Sequence, residues 1–106
     1  MMQLGPGEIE ELLTQKLDLD ERCEYILRQT RSLEALMEVE EEFLEGLERS
    51  HGGWLRNEYT QACQQRFEHY IQRLRDARIR WLDQLQDVNE KLTSTVSRLR
   101  AVGILR

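Results

Sequence analysis

The chain has 106 residues, enough for one small domain, and 33% of them are charged. One proline and six glycines interrupt a sequence rich in Leu, Glu, Gln and Arg, which is the composition of long helices. The two cysteines form no disulfide-dense pattern, and no uncharged apolar run approaches the ~20 residues of a membrane span. The N-terminus lacks a secretory signal pattern, so we expect a cytoplasmic protein, or a nuclear one if the source is eukaryotic.

Charge is divided unevenly along the chain. Residues 1–53 carry fourteen acidic and five basic residues, a net charge of −9, whereas residues 54–106 carry six acidic and ten basic residues, a net charge of +4. An acidic half and a basic half favour attraction to each other, or to partners of complementary charge.

The N-terminal part of the chain predicts a flexible lead-in followed by a long helix. Residues 1–7 contain glycines and a proline and are predicted to be flexible. A helix is predicted over about 8–49, because apolar residues recur there with helical spacing. Asp18, with Glu21 three positions on, resembles a capping box, so the helix either restarts at Asp18 or continues through it. A restart would allow a short third helix to fold over and complete a self-sufficient monomer.

The first helix carries an apolar pattern that repeats every seven residues, which predicts a seam for packing against another helix. The seam consists of two rows: Leu12, Leu19, Ile26, Leu33, Glu40 and Leu47, and Ile9, Lys16, Cys23, Thr30, Met37 and Leu44. Four flanking residues widen the apolar stripe: Leu13, Leu27, Leu36 and Phe43. A stripe of this width suits a helical bundle better than an isolated two-stranded coiled coil.

A turn is predicted at residues 50–53, Ser-His-Gly-Gly, because a glycine adopts the left-handed conformation that ends many helices. A second helix follows over about 54–102, and Gly103 is predicted to mark its end. Its apolar stripe comprises Phe67, Tyr70, Leu74, Ala77, Trp81, Leu85, Val88, Leu92, Thr95, Leu99 and Val102. Two consecutive steps of four, beginning at Ala77, predict a stutter in the stripe.

The predicted fold is all-α, with two long helices in an antiparallel hairpin that packs as a coiled coil or helical bundle in one domain, residues 8–103. An open turn would instead give one bent rod. A hairpin reversing at 51–52 places the acidic segment 34–48 opposite about 55–69, and the arginine-rich segment 66–80 opposite about 23–37. Two helices cover only one strip of each other, so we expect a second copy or another helical subunit to complete the core.

The sequence offers no pattern for catalysis, a cofactor or a metal. His51 and His69 lie beyond helical reach of a cysteine or a second histidine. The Glu-rich segment lacks the glycine-centred layout of a calcium loop, and no phosphate-binding loop is present. We therefore predict a non-enzymatic protein without catalytic, cofactor or metal residues.

Five arginines lie close together in the second helix: Arg66, Arg73, Arg75, Arg78 and Arg80. Acidic residues interrupt them, the net charge of the chain is −5, and no nucleic-acid-binding motif surrounds them. We interpret them as a solvated face beside the seam rather than as a nucleic-acid site.

Protein interaction through helix packing is the leading hypothesis. The candidate interaction residues are Leu33, Met37, Leu44, Leu47, Trp54, Tyr59, Phe67, Tyr70, Leu74, Trp81, Leu85, Val88 and Leu92. Trp54 either caps the end of the helix pair against Leu47 or anchors a partner, since tryptophan is frequent in binding hot spots.

In length, acidity and paired helices, the chain resembles small export chaperones of flagellar and type III secretion systems. It also resembles short helical subunits of eukaryotic tethering, cytoskeletal and kinetochore complexes. The residues favour a small scaffold or adaptor subunit of a larger complex. The alternative is a small cytosolic chaperone that holds an amphipathic helix of a client protein.

Overall fold

The structure, a computed structural model, describes residues 4–51 and 58–105 and confirms the predicted all-α fold. Helix α1 spans Pro6–His51 and helix α2 spans Glu58–Ala101. The two helices pack against each other as an antiparallel hairpin. Within the described ranges there is no β-strand.

Helix α1 begins at Pro6, whose fixed φ suits the first position of a helix. The backbone N–H groups of Glu8 and Ile9 both donate to the Gly5 carbonyl at 3.1 Å and close the first turn. The helix continues through Asp18, so the predicted alternative of a separate N-terminal helix is wrong. Asp18 does not start a new helix, because the backbone N–H groups that follow it form hydrogen bonds within the continuous helix and need no cap.

The region between the helices differs from the predicted turn at 50–53. Ser50 and His51 belong to α1, so the helix extends into the segment that the sequence assigned to the turn. The two glycines at 52 and 53 lie outside the described residues, as does the predicted start of the second helix at 54. Helix α2 is described from Glu58 onward.

The end of α2 is defined by Gly103, as predicted, which has a φ of 83°. The Ile104 N–H donates to the Leu99 carbonyl at 3.0 Å, and the Gly103 N–H donates to the Arg100 carbonyl at 3.1 Å. These two bonds form a Schellman motif, which satisfies carbonyls that the helix itself leaves free. Arg98 and Arg100 place positive charge in the last turn, where the helix dipole favours it.

The hairpin divides into two units, each of which contains a segment of both helices. Unit 1 comprises Met1–Arg28 and Leu82–Arg106, and unit 2 comprises Gln29–Trp81. Unit 1 buries Leu12, Ile26, Val88, Thr95 and Leu99, and unit 2 buries Thr30, Ile71 and Leu74.

The seam predicted for α1 is the surface that the hairpin covers. Its buried residues, Leu12, Ile26 and Thr30, all belong to the two predicted rows, and the other described side chains of those rows are half-buried. The flanking residues of the stripe are instead exposed: Leu13, Leu27, Leu36 and Phe43. Packing of two helices therefore covers the seam and leaves its flanks uncovered.

The seam of α2 differs from the predicted stripe in one segment. Ile71 is only 4% exposed, whereas Tyr70, which the sequence placed on the seam, is half-buried. Ile71 therefore replaces Tyr70 in the seam. Ala77 and Arg78 are both half-buried, so the predicted stutter at Ala77 stays a prediction. The other seam residues of α2 are Phe67, Leu74, Trp81, Leu85, Val88, Leu92, Thr95, Leu99 and Val102.

Two ion pairs show the register of the helices in unit 2. Arg78 Nε lies 2.9 Å from Glu34 Oε1, and Arg75 Nη2 lies 3.1 Å from Glu41 Oε1. These arginines therefore face residues 34–41, so the predicted pairing of 66–80 with 23–37 is displaced toward the C-terminal end of α1, although Glu34 lies in both ranges. The prediction failed because it reversed the chain at 51–52, whereas α1 continues through His51.

Candidate protein-interaction surface

Helix α1 presents an uncovered apolar row in unit 2. Leu36, Val39 and Phe43 follow one another at steps of three and four and therefore share one side of the helix. Their exposed fractions are 39%, 60% and 49%. Large apolar side chains in this arrangement form a ridge onto which another helix can pack.

Phe43 connects this row to α2. Its ring centroid lies 5.4 Å from that of Phe67, with the ring planes tilted by 42°, a favourable geometry for an aromatic pair. Beside Phe67 is a groove of about 320 Å³, lined by Cys63, Arg66, Phe67, Tyr70 and Arg73. We call the surface formed by Leu36, Val39, Phe43, Phe67 and Tyr70 the aromatic face.

Arginines border the aromatic face on α2. Arg66, Arg73 and Arg80 recur every seven residues, so they lie along one side of the helix, and all three are exposed. We call them the arginine row. Arg73 Cζ lies 5.8 Å from the centroid of the Tyr70 ring, within the range of a cation–π interaction. A guanidinium thus borders an aromatic ring at the edge of the groove.

The arginine row differs from the other two arginines of the segment. Arg75 and Arg78 form ion pairs with carboxylates of α1. Among the described side chains, none of the three row arginines forms an ion pair. The five arginines predicted to form one solvated face thus separate into two groups. Arg75 and Arg78 pair with α1, and the arginine row faces solvent.

The structure places the predicted interaction residues in three groups. Leu74 and Val88 are buried. Eight are half-buried: Leu33, Met37, Leu44, Phe67, Tyr70, Trp81, Leu85 and Leu92. Trp54 and the side chains of Leu47 and Tyr59 lie outside the described residues, so their predicted roles stay predictions.

Sequence reasoning found only the α2 half of the aromatic face. It named Phe67 and Tyr70 as interaction residues, but it assigned Leu36 and Phe43 to the flank of the stripe and gave Val39 no role. The signal that identifies the α1 half is the three–four spacing of these residues outside the two seam rows.

Unit 1 also exposes apolar side chains, namely Leu13, Leu17 and Leu27. A groove of about 500 Å³ along α2 in this unit is lined by Leu82, Leu85, Gln86, Asn89, Glu90 and Thr93. The lysines of unit 1 are paired locally, Lys16 with Asp20 and Lys91 with Asp87. Unit 1 therefore combines apolar surface with locally balanced lysines, and it identifies the chemistry of a partner less sharply than unit 2 does.

Other kinds of site find no support in the described part of the chain. No group of three or more His, Cys, Asp or Glu there is arranged to hold a metal ion. Neither helix contains a segment both long and apolar enough to traverse a bilayer. Comparisons with protein-family models, with curated proteins and with solved structures give no match. The chemistry of the aromatic face and of the arginine row is therefore the basis for a functional proposal.

Proposed function

We propose that this protein is a non-enzymatic scaffold or adaptor subunit that packs its hairpin against a helical protein partner. The observation that carries the proposal is the division of the apolar stripe between covered seam and exposed flank. Leu36, Val39 and Phe43 remain open after the two helices have packed. Contiguous exposed apolar side chains rimmed by charge are typical of protein-interaction sites.

The energy available on this surface is sufficient to matter. Burying one large apolar side chain contributes about 1.5–3 kcal/mol, so covering three that are about half exposed contributes roughly 2–4 kcal/mol. This gain must exceed the cost of association, which is of similar size or larger. A stable complex therefore needs further apolar area and specific polar contacts at the rim of the interface. The arginine row supplies such polar contacts.

We place the protein in the cytoplasm, or in the nucleus of a eukaryotic cell. Both cysteines are free thiols, Cys23 and Cys63. Unpaired cysteines in a small chain suit a reducing compartment. Fluorescence microscopy of the tagged protein, expressed at its native level, tests this location.

Affinity capture at native expression level, with mass spectrometry, tests the proposed function. We expect wild type to retain a helical partner and the double variant Leu36→Ser/Val39→Ser to lose it. The matched control Leu13→Ser/Leu17→Ser changes two exposed leucines of unit 1 and should retain it. Co-expression with the partner should also raise the thermal stability of the hairpin.

Two results would count against a subunit role. A protein that stays monomeric at high concentration and captures no partner would overturn the proposal. A client that binds and leaves reversibly, without stabilising the hairpin, would instead favour the chaperone alternative.

A further inference from the structure

We infer that the aromatic face and the arginine row form a docking site for one amphipathic helix of a partner protein, with acidic side chains spaced seven residues apart beside its apolar seam. This inference rests on the proposed function and specifies the chemistry of the partner.

The ion pairs between α1 and α2 show how this chain matches its own charges. Glu34 and Glu41 lie seven residues apart on α1, and they accept hydrogen bonds from Arg78 and Arg75 at 2.9 and 3.1 Å. Charges of opposite sign beside an apolar seam select partners and set the orientation of packed helices. The arginine row places further positive charge beside the aromatic face, at seven-residue spacing instead of the three-residue spacing of Arg75 and Arg78.

Helix α1 provides no acidic row on the side that carries its exposed apolar residues. The positions of α1 that recur with the exposed apolar row at seven-residue intervals hold no carboxylate; they are Gln29, Ser32, Leu36, Val39, Phe43 and Gly46. On α2, Glu68 and Asp76 accept hydrogen bonds from Gln64 and Gln72, at 3.1 and 3.0 Å. Asp83 lies three residues beyond Arg80 on the same helix, but among the described side chains no ion pair joins a row arginine to a carboxylate. The arginine row is therefore available to carboxylates of a partner.

The spacing of the row identifies a helix as the element that carries those carboxylates. Seven residues correspond to about 10.5 Å along a helix axis, so residues seven apart on an adjacent helix follow the same interval. The apolar row of α1 supplies the ridge for its seam. Nucleic acid is less well matched, because its phosphates would use the charges and leave Leu36 and Val39 uncovered.

A second copy of the chain is also less well matched. Its exposed acidic residues Glu38 and Glu45 lie seven residues apart on α1. The positions beside them on the helix include Glu41 and Glu42 rather than a row of exposed apolar residues. The exposed residues Asp76, Asp83 and Glu90 also recur every seven residues on α2, where Ile79 is the one exposed large apolar side chain in the described part of the helix. Neither of these acidic sets lies next to a row of exposed apolar residues.

Two synthetic four-heptad peptides test the inference. Both carry leucine at the two seam positions of each heptad, and they differ only in having Glu or Lys at one flanking position per heptad. Fluorescence anisotropy measures their binding to the full chain at physiological ionic strength, at peptide concentrations where each is monomeric. We expect the Glu peptide to bind about tenfold more tightly, from three surface ion pairs.

Charge-reversal variants test whether the arginine row causes the preference for the Glu peptide. The triple variant Arg66→Glu/Arg73→Glu/Arg80→Glu should reverse the preference and favour the Lys peptide. The control Arg22→Glu/Arg28→Glu/Arg31→Glu changes net charge equally, through three exposed arginines of α1, and should keep the wild-type preference. Circular dichroism establishes that both variants retain their helices before binding is compared.

Four results would overturn the inference. Equal binding of the two peptides would remove the acidic requirement, and failure of both to bind would remove the docking site. Self-association of wild type that the triple variant abolishes, seen by sedimentation equilibrium, would identify a second copy as the occupant. Tighter binding of a duplex DNA oligonucleotide than of the Glu peptide would identify nucleic acid. Each of these results leaves the proposed function standing as long as capture from cells still yields a partner. The proposed function fails only if that capture yields none.

Discussion

Arg78 on α2 donates a hydrogen bond through Nε to Oε1 of Glu34 on α1 at a distance of 2.9 Å. A hairpin of two heptad-repeating helices has several registers that cover much the same apolar area. Ion pairs at the edge of the seam help to distinguish them, because a shift changes which charges lie opposite one another.

Chemical cross-linking should report this register directly. In a Cys23→Ser/Cys63→Ser background, we expect the pair Glu34→Cys/Arg78→Cys to be joined within one chain by a short bismaleimide. The pair Glu34→Cys/His69→Cys represents the register predicted from the sequence. Position 69 lies nine residues, about 13 Å, further along α2, so we expect little intrachain product.

The readout for this prediction is a mobility shift on denaturing gels, followed by mass spectrometry of the linked peptides. Efficient linkage at 69 together with none at 78 would show that the helices pair as the sequence suggested, and that the ion pairs described for unit 2 do not form.

Ile71 should contribute much more to stability than Ile79, although both are isoleucines of α2 in unit 2. Ile71 is 4% exposed and Ile79 is 54% exposed. Ile71→Val removes one buried methyl group and should cost about 0.5–1.5 kcal/mol of unfolding free energy. Ile79→Val should change it by less than about 0.5 kcal/mol. Urea denaturation followed by circular dichroism measures both, and equal losses would contradict the corrected seam.

Two glycines should respond to alanine in opposite directions. At both Gly46 and Gly103 an added Cβ would meet no atom within 4 Å, so steric contact does not distinguish them. Gly46 lies inside α1, and Gly46→Ala should stabilise by about 0.5–1 kcal/mol. Gly103 has a φ of 83°, so Gly103→Ala should destabilise by about 1–2 kcal/mol.

Thermal unfolding of the two alanine variants and of Gly103→Asn tests the backbone argument. Asparagine tolerates the left-handed conformation better than alanine, so it should recover part of the loss at 103. A stabilising Gly103→Ala would mean that α2 does not end in the Schellman motif.

The Arg75–Glu41 pair should contribute little to stability despite its good geometry. Its side chains are 51% and 46% exposed, so solvent screens their attraction. A double-mutant cycle with Arg75→Gln and Glu41→Gln should give a coupling energy of about 0.2–1 kcal/mol, smaller at high salt. A coupling of several kcal/mol would mean that the pair is shielded from water, for example by a bound partner.

The seam of α1 could be predicted from sequence because a seven-residue repeat places the same side chains inward whatever the partner helix. The choice between Tyr70 and Ile71 could not, since both lie at helical spacing from Phe67 and Leu74. Packing against α1 decides between them, and it buries the purely apolar residue while leaving the phenol at the edge. The register depends on where the chain reverses, and a Gly-Gly pair alone does not determine that point.

The candidate surface, like the seam, could be predicted only in part. Phe67 and Tyr70 of α2 were predicted as interaction residues because aromatic side chains are frequent in interfaces. Leu36 and Val39 were not predicted as interaction residues, because a sequence shows that a residue flanks an apolar stripe but not whether a neighbouring helix covers it.

The division of apolar residues between seam and flank has a genetic consequence. Changes at Ile71 weaken the fold and, since partly unfolded chains are degraded in cells, lower the amount of protein present. Changes at Val39 leave the hairpin intact and, under the proposed function, remove only its engagement with other proteins. These two positions are 32 residues apart in the sequence. An allele at Ile71 lowers the amount of protein and an allele at Val39 lowers its partner binding, whereas deletion of the gene removes both together.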